Sequence, residues 1–227
     1  MNNKDNITEE ENKIDNIKDI GVPNIAKFEN KIQFISIIGE IEGHSIAPND
    51  KKATKYEHII PLLISAHQDP NIEGIFIILN TVGGDVEAGL ALAELINSVN
   101  KAKVSLVLGG SHSIGVPLAT STDYSYIVPT ATMTIHPIRT TGLVIGVPQT
   151  FRYFQKMQQR IIDFILRTSK VDKDLLLRLM YSTDEIANDV GTILVGKEAV
   201  DYNLIDEVGG FSDAINKLNS LIENKNP

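Results

Sequence analysis

The chain has 227 residues, 29 acidic against 21 basic side chains, a formal net charge of −8 and no cysteine. That length suits one large domain with a real core or two small ones. The acidic balance argues against general affinity for nucleic acid or anionic membranes, and the lack of thiols excludes disulfides, thiol catalysis and cysteine-bound zinc. No apolar run approaches the roughly 20 residues of a membrane span. Met1–Glu11 has no apolar stretch of the signal-peptide kind, so a soluble cytoplasmic protein is expected.

Residues 1–30 are rich in Asn, Asp, Glu and Lys, with Ile14, Ile17 and Ile20 loosely spaced. They read as a polar flexible tail, followed by one domain over 31–220 and a short C-terminal tail over 221–227. Ile32, Phe34, Ile35, Ile37 and Ile38 predict a β-branched strand ending at Gly39. Tyr56–His67 carries apolar residues at helical spacing and stops at Asp69-Pro70. Ile75–Leu79 is an unbroken apolar run, as expected of a strand buried on both faces in a parallel sheet. A helix over Val86–Val99, a strand over Val104–Leu108, a short helix over Val116–Ser121 and strands over Tyr124–Val128 and Thr132–Ile135 follow. This alternation predicts an α/β domain with a mostly parallel sheet.

Arg139–Val147 is expected as an edge strand, and Pro148 suits the start of a long helix over Gln149–Thr168. Phe151, Phe154, Met157, Ile161, Phe164 and Ile165 form its apolar stripe. Tyr153 and Ile162 lie off that stripe, which points to an extra packing surface such as a subunit contact. A helix over Asp172–Met180, a strand over Gly191–Val195, a helical turn from Lys197 to Tyr202 and a strand segment over Leu204–Val208 complete the chain.

Three stretches carry candidate chemistry. Gly109 to Pro117 places Ser113 among small residues just beyond a buried strand, where a sharp turn can present a hydroxyl. By itself this stretch reads first as an inert Gly/Ser turn. Gly83-Gly84 also follows a buried strand, and paired glycines there free backbone N–H groups to meet a developing oxyanion. His136 ends a short strand before Pro137, where an imidazole can be fixed in a cleft or serve only as structure. His112 adjoins Ser113, but neighbours at such a turn point different ways, which makes it a poor base. Gly191 to Glu198 nearly spells a phosphate-binding loop. It has Glu198 where magnesium binding needs Ser or Thr, so nucleotide binding is rejected.

Taken in order, these stretches resemble the ClpP family of self-compartmentalising serine proteases. Asn80-Thr81-Val82-Gly83-Gly84 resembles its oxyanion-hole turn, Ser111-His112-Ser113-Ile114-Gly115 its nucleophile turn, and Thr134-Ile135-His136-Pro137 the segment with its histidine. Glu198-Ala199-Val200-Asp201-Tyr202-Asn203-Leu204-Ile205-Asp206 is similar to the family's closing motif. Thr81–Asp85 and Val190–Val200 most resemble its translocation-enhancing branch.

The resemblance spans about Ile32 to Leu218 and implies a ClpP/crotonase-like α/β fold with the 149–168 helix as a protruding handle. It implies Ser113 as nucleophile, His136 as general base, and the N–H groups of Gly83 and Ile114 as oxyanion hole. Neither metal nor cofactor is needed. Peptides or unfolded protein segments are the implied substrates, and a homo-oligomeric ring able to stack is the implied assembly.

One position and one terminal feature depart from the family pattern. Counted back from Glu198-Ala199-Val200 without a gap, the family's catalytic aspartate falls on Gly191, and the nearest carboxylate is Asp189. Either Asp189 completes a triad, or Ser113 and His136 work as a weak dyad, or the assembly only binds unfolded or exported chains. An acyl-CoA enzyme on the crotonase scaffold is a further alternative that the Ser113/His136 pairing disfavours. The long polar N-terminus leaves coupling to an ATPase open.

Overall fold

A computed structural model describes residues 31–48, 50–140, 146–184 and 190–225. Its strands are β1 (Ile32–Glu42), β2 (Ala53–Lys55), β3 (Gly74–Gly84), β4 (Ala102–Ser111), β5 (Tyr124–Ile127), β6 (Thr132–Ile135), β7 (Thr192–Val195) and β8 (Glu207–Val208). The helices are α1 (Tyr56–Gln68), α2 (Val86–Ser98), α3 (Gly115–Thr120), α4 (Val147–Thr168), α5 (Lys173–Tyr181), α6 (Lys197–Asp201) and α7 (Phe211–Lys225). The main sheet runs β2-β1-β3-β4-β5-β8 with parallel pairing throughout. This is the mixed α/β architecture, mostly parallel and flanked by helices, expected of a ClpP-like chain.

The apolar runs work because both faces of the sheet are covered. Successive residues of a strand point to opposite faces. Ile75, Ile77 and Leu79 of β3 join the larger core with α1, α2 and the buried side of α4. Phe76 faces the other way, with Val104 and Leu106 of β4, against Ala214, Leu218 and Ile222 of α7. Because Ile222 is buried in that contact, the packed chain extends through α7 to Lys225.

Several boundaries differ from the sequence reading, each for a physical reason. β3 continues past Leu79 to Gly84 because Glu40 and Ile41 pair with Gly83 and Gly84 after a register shift in β1. The strand expected over Leu204–Val208 shrinks to Glu207–Val208. The preceding Asp206 instead takes hydrogen bonds from the Ser125 backbone and hydroxyl at 3.0 and 2.9 Å, so a side-chain cap replaces ladder pairing. Helix α4 begins at Val147, earlier than expected, with Gly146 at φ 71 before it and Pro148 in its first turn. Most of the expected edge strand over Arg139–Val147 falls on residues 141–145, outside the described residues.

Helix α4 also separates the two off-stripe residues: Ile162 is buried in the fold's own core, whereas Tyr153 is exposed together with Val147 and Phe151. No helix among the described residues is long and apolar enough to cross a membrane.

The arrangement that matters most for chemistry is β6. It meets β4 through the single pair Gly110–Thr132 and then runs antiparallel to β7, from Thr132 opposite Val195 to Ile135 opposite Thr192. This small second layer stands over the C-terminal end of β4 and carries His136 at its exit.

Candidate active site

Strand β4 ends at Ser111, whose hydroxyl donates to the Gly115 carbonyl at 2.7 Å. Gly115 N–H donates to His112 O at 2.8 Å and Val116 N–H to Ser113 O at 3.1 Å, so the chain doubles back within a few residues. Ser113 sits at the apex with φ 57, in the left-handed region. A side-chain-bearing residue pays about 1–2 kcal/mol for that conformation. The surroundings hold it there. Ser113 N–H donates to Thr134 O at 2.8 Å, tying the turn to β6. Gly83, itself at φ +88, lies so close that a Cβ added to it would stand 2.8 Å from Ser113 Cβ and 2.7 Å from His112 O. Only glycine lets the two turns approach this far.

His112 points away from the cleft's chemistry. Its Nδ1 is hydrogen-bonded to Thr134 Oγ1 at 2.6 Å, and its Nε2 lies 3.4 Å from Thr132 Oγ1. It therefore clamps the serine turn onto β6. Burial, with the neighbouring His136 acting in the same direction, holds its pKa below the ordinary histidine value.

His136 leaves β6 with its Nδ1 2.7 Å from Pro137 O. A carbonyl only accepts, so Nδ1 carries the proton and the lone pair stands on Nε2, the tautomer a general base requires. Burial lowers the pKa of His136 and the positive charge of Arg139 adds to this, against the opposing pull of the Pro137 contact. The ring is thus a neutral imidazole at neutral pH. Ser113 and His136 line one cleft of ≈ 180 Å³, with Val86, Ile138, Ile165 and Met180 among its apolar walls. No hydrogen bond joins the Ser113 hydroxyl to His136. Such bonds are often loose before substrate arrives and tighten in the complex.

The two expected oxyanion donors differ in state. Ile114 N–H has no partner among the described residues. Gly83 N–H rests on Thr81 Oγ1 at 3.1 Å, and that hydroxyl in turn donates to Gly39 O at 2.6 Å.

The third position is where geometry adds most. Asp189 lies outside the described residues. Gly191 holds φ +125, and a Cβ there would stand 2.5 Å from Ile135 O and 2.8 Å from His136 Cβ. The residue expected at the aspartate position is therefore pressed against the histidine-bearing strand, where a side chain would collide with backbone. Its N–H donates to Ser182 O at 2.8 Å.

Three groups escaped the sequence reading: the Pro137 carbonyl, the Thr81 hydroxyl and Gln158. A backbone carbonyl has no letter of its own. Gln158 did leave a signal, being a polar residue four positions after Phe154 and three before Ile161 on the apolar stripe of α4. Among the described residues no group of three His, Asp or Glu side chains could hold a metal ion.

Residues 35–211 match the family model described as Clp protease. The chain is 53% identical over 215 residues to the translocation-enhancing protein TepA of Halalkalibacterium halodurans, covering 94% of this chain and 84% of that protein. It is 28% identical to the ATP-dependent Clp protease proteolytic subunit of Lactococcus lactis subsp. lactis over 66% of this chain and 74% of the relative. A proteolytic subunit 2 from Tropheryma whipplei is 27% identical, over 65% of this chain and 78% of the relative.

Proposed function

The chain belongs to the Clp protease family, and from that premise we propose that it is a serine peptidase acting on peptides or unfolded protein segments. The observation that carries this reading is a serine held at φ 57 on the same small cleft as a neutral histidine whose Nδ1 is committed to an acceptor. Ser113 Oγ attacks the scissile carbonyl carbon and passes its proton to His136 Nε2. The new C–O bond leaves the negative charge on the former carbonyl oxygen, which the N–H groups of Ile114 and Gly83 receive. Gly83 turns its donor from Thr81 to the oxyanion in doing so. The C–N bond then breaks, His136 returns the proton to the leaving amine, and water releases the acyl group by the same route in reverse.

The apolar cleft suits an aliphatic or aromatic side chain on the acyl side of the cut bond. We further propose a homo-oligomeric ring as the working assembly and, from the name of the TepA relative, a link to protein export.

A fluorophosphonate reagent tests the core of this reading. It should label the assembled protein on Ser113, and Ser113→Ala should abolish both labelling and peptide hydrolysis. Assembled protein that resists the reagent at Ser113 rules the peptidase out. Gly191 motivates a second reading, a catalytically weak assembly that holds unfolded or exported chains. Persistence of the cellular function in the Ser113→Ala variant would favour it.

A further inference from the structure

The peptide group between Pro137 and Ile138 is gripped from both sides. Its carbonyl accepts from His136 Nδ1 at 2.7 Å, and its N–H donates to Gln158 Oε1 at 2.7 Å. Gln158 is only 8% exposed, on the buried face of α4 beside Met157, Ile161 and Ile162. Because a backbone N–H can only donate, the oxygen of the side-chain amide must face Ile138. Its nitrogen then lies 2.9 Å from the Met180 sulfur, a weak acceptor.

Burying an amide at this price in desolvation is unfavourable unless its oxygen is put to use. Helix α4 does not need it for packing, since Ile161, Phe164 and Ile165 already fill that face. We infer that Gln158 is a positioning residue for His136, acting through the Pro137–Ile138 peptide, which takes the place of the carboxylate that Gly191 cannot supply. The inference rests on the Ser113–His136 reading above.

Two effects pass along this relay. Gln158 fixes the plane of the peptide, so the Pro137 oxygen stays where the imidazole N–H needs it. Donation by the Ile138 N–H also polarises the amide and makes its carbonyl a better acceptor. The Nδ1–H tautomer is thereby held without a buried charge. A neutral carbonyl stabilises imidazolium less than a carboxylate does, so the device orients the base better than it strengthens it.

The experiment reads tautomer and rate separately. In assembled protein with ¹⁵N-labelled histidine, the His136 signals, identified by their loss in His136→Asn, should show Nδ1 protonated and Nε2 bare. Gln158→Met keeps the volume but removes the acceptor. It should mix the tautomers and slow fluorophosphonate labelling of Ser113 by about 10²-fold, less than the ~10⁴ lost when a triad carboxylate is neutralised, with peptide KM unchanged. Gln158→Glu retains an acceptor oxygen and should keep the wild-type tautomer, and Asp189→Asn should leave it untouched.

A wild-type proton on Nε2, a tautomer that shifts with Asp189→Asn, or a Gln158→Met protein with wild-type tautomer and labelling rate would each overturn the inference. If Gln158→Met does not fold, the wild-type, Gln158→Glu and Asp189→Asn spectra decide. A wild type that is never labelled at Ser113 removes the peptidase reading, while the tautomer readout still judges Gln158.

Discussion

Ser113 carries its strain at the point where chemistry is proposed. At φ 57 its side chain opposes the backbone, and glycine would relieve that opposition. Ser113→Gly and Ser113→Ala should both be unreactive, but the glycine variant should be more stable by about 1 kcal/mol. Urea denaturation of the two variants side by side checks this, and equal midpoints would mean the turn is unstrained.

Gly191 makes the complementary case. If Gly191 stands where the resemblance places an aspartate, Gly191→Asp should still not build a triad. The new Cβ would strike Ile135 O and the His136 Cβ, and φ +125 suits no side chain. The expected outcome is a loss of about 1–3 kcal/mol in stability, with Ser113 labelling slower than in wild type. A faster-labelling Gly191→Asp protein would show that the strand gives way and that a carboxylate was the missing part.

At the scale of elements, the question is what holds α4 against the cleft. Arg160 forks onto both oxygens of Glu87 at 2.7 and 2.9 Å, and about two helical turns later Arg167 contacts both oxygens of Glu94 at 2.7 Å. All four side chains are about half exposed, so each pair is worth at most about 1 kcal/mol. Ile165, 1% exposed and lining the cleft, should dominate instead. Ile165→Ala should cost about 2–5 kcal/mol and shift peptide preference toward bulkier acyl-side residues, whereas Arg167→Gln should cost about 1 kcal/mol or less. Thermal unfolding together with a peptide library separates the two. A costlier Arg167→Gln would mean that charge, not packing, seats the helix.

The same helix shows what a sequence can and cannot reveal. Its apolar stripe was readable from periodicity, but whether Ile162 or Tyr153 faced outward was not, because both lie off the stripe and only tertiary packing separates them. Strand cores were legible as apolar runs. Their ends were not, because β3 is prolonged by pairing with β1 and β8 is shortened by the Asp206 cap. Ser113, Gly83 and His136 stood out because each sits where an apolar run meets glycine or proline. Neither the orienting carbonyl nor the steric block at Gly191 could be read, since both belong to backbone geometry.

For the whole molecule, two half-buried histidines tie stability to pH. His112 and His136 both have pKa values lowered in the fold, chiefly by burial, while the unfolded chain offers each its ordinary value of about 6.5. Below that value the unfolded state binds protons that the native state refuses, so stability must fall as pH falls through it. The loss continues until the lowered native values are reached. Glu87 adds a separate step further down. Its pKa is depressed chiefly by the hydrogen bond from Arg160, so its contribution is present above the ordinary carboxylate range and vanishes as acid protonates it.

The urea midpoint should therefore be lower at pH 5.5 than at pH 7.5, and His112→Asn should flatten that slope by removing one of the two groups. The same burial keeps His136 a free base to below pH 6.5, so the acid limb of kcat/KM for peptide hydrolysis should lie under that value. A midpoint unchanged between the two pH values would mean that the fold binds as many protons as the open chain. The clamp of His112 onto Thr132 and Thr134 would then persist with a charged ring, both nitrogens donating to hydroxyls, and β6 would stay seated on the serine turn in acid.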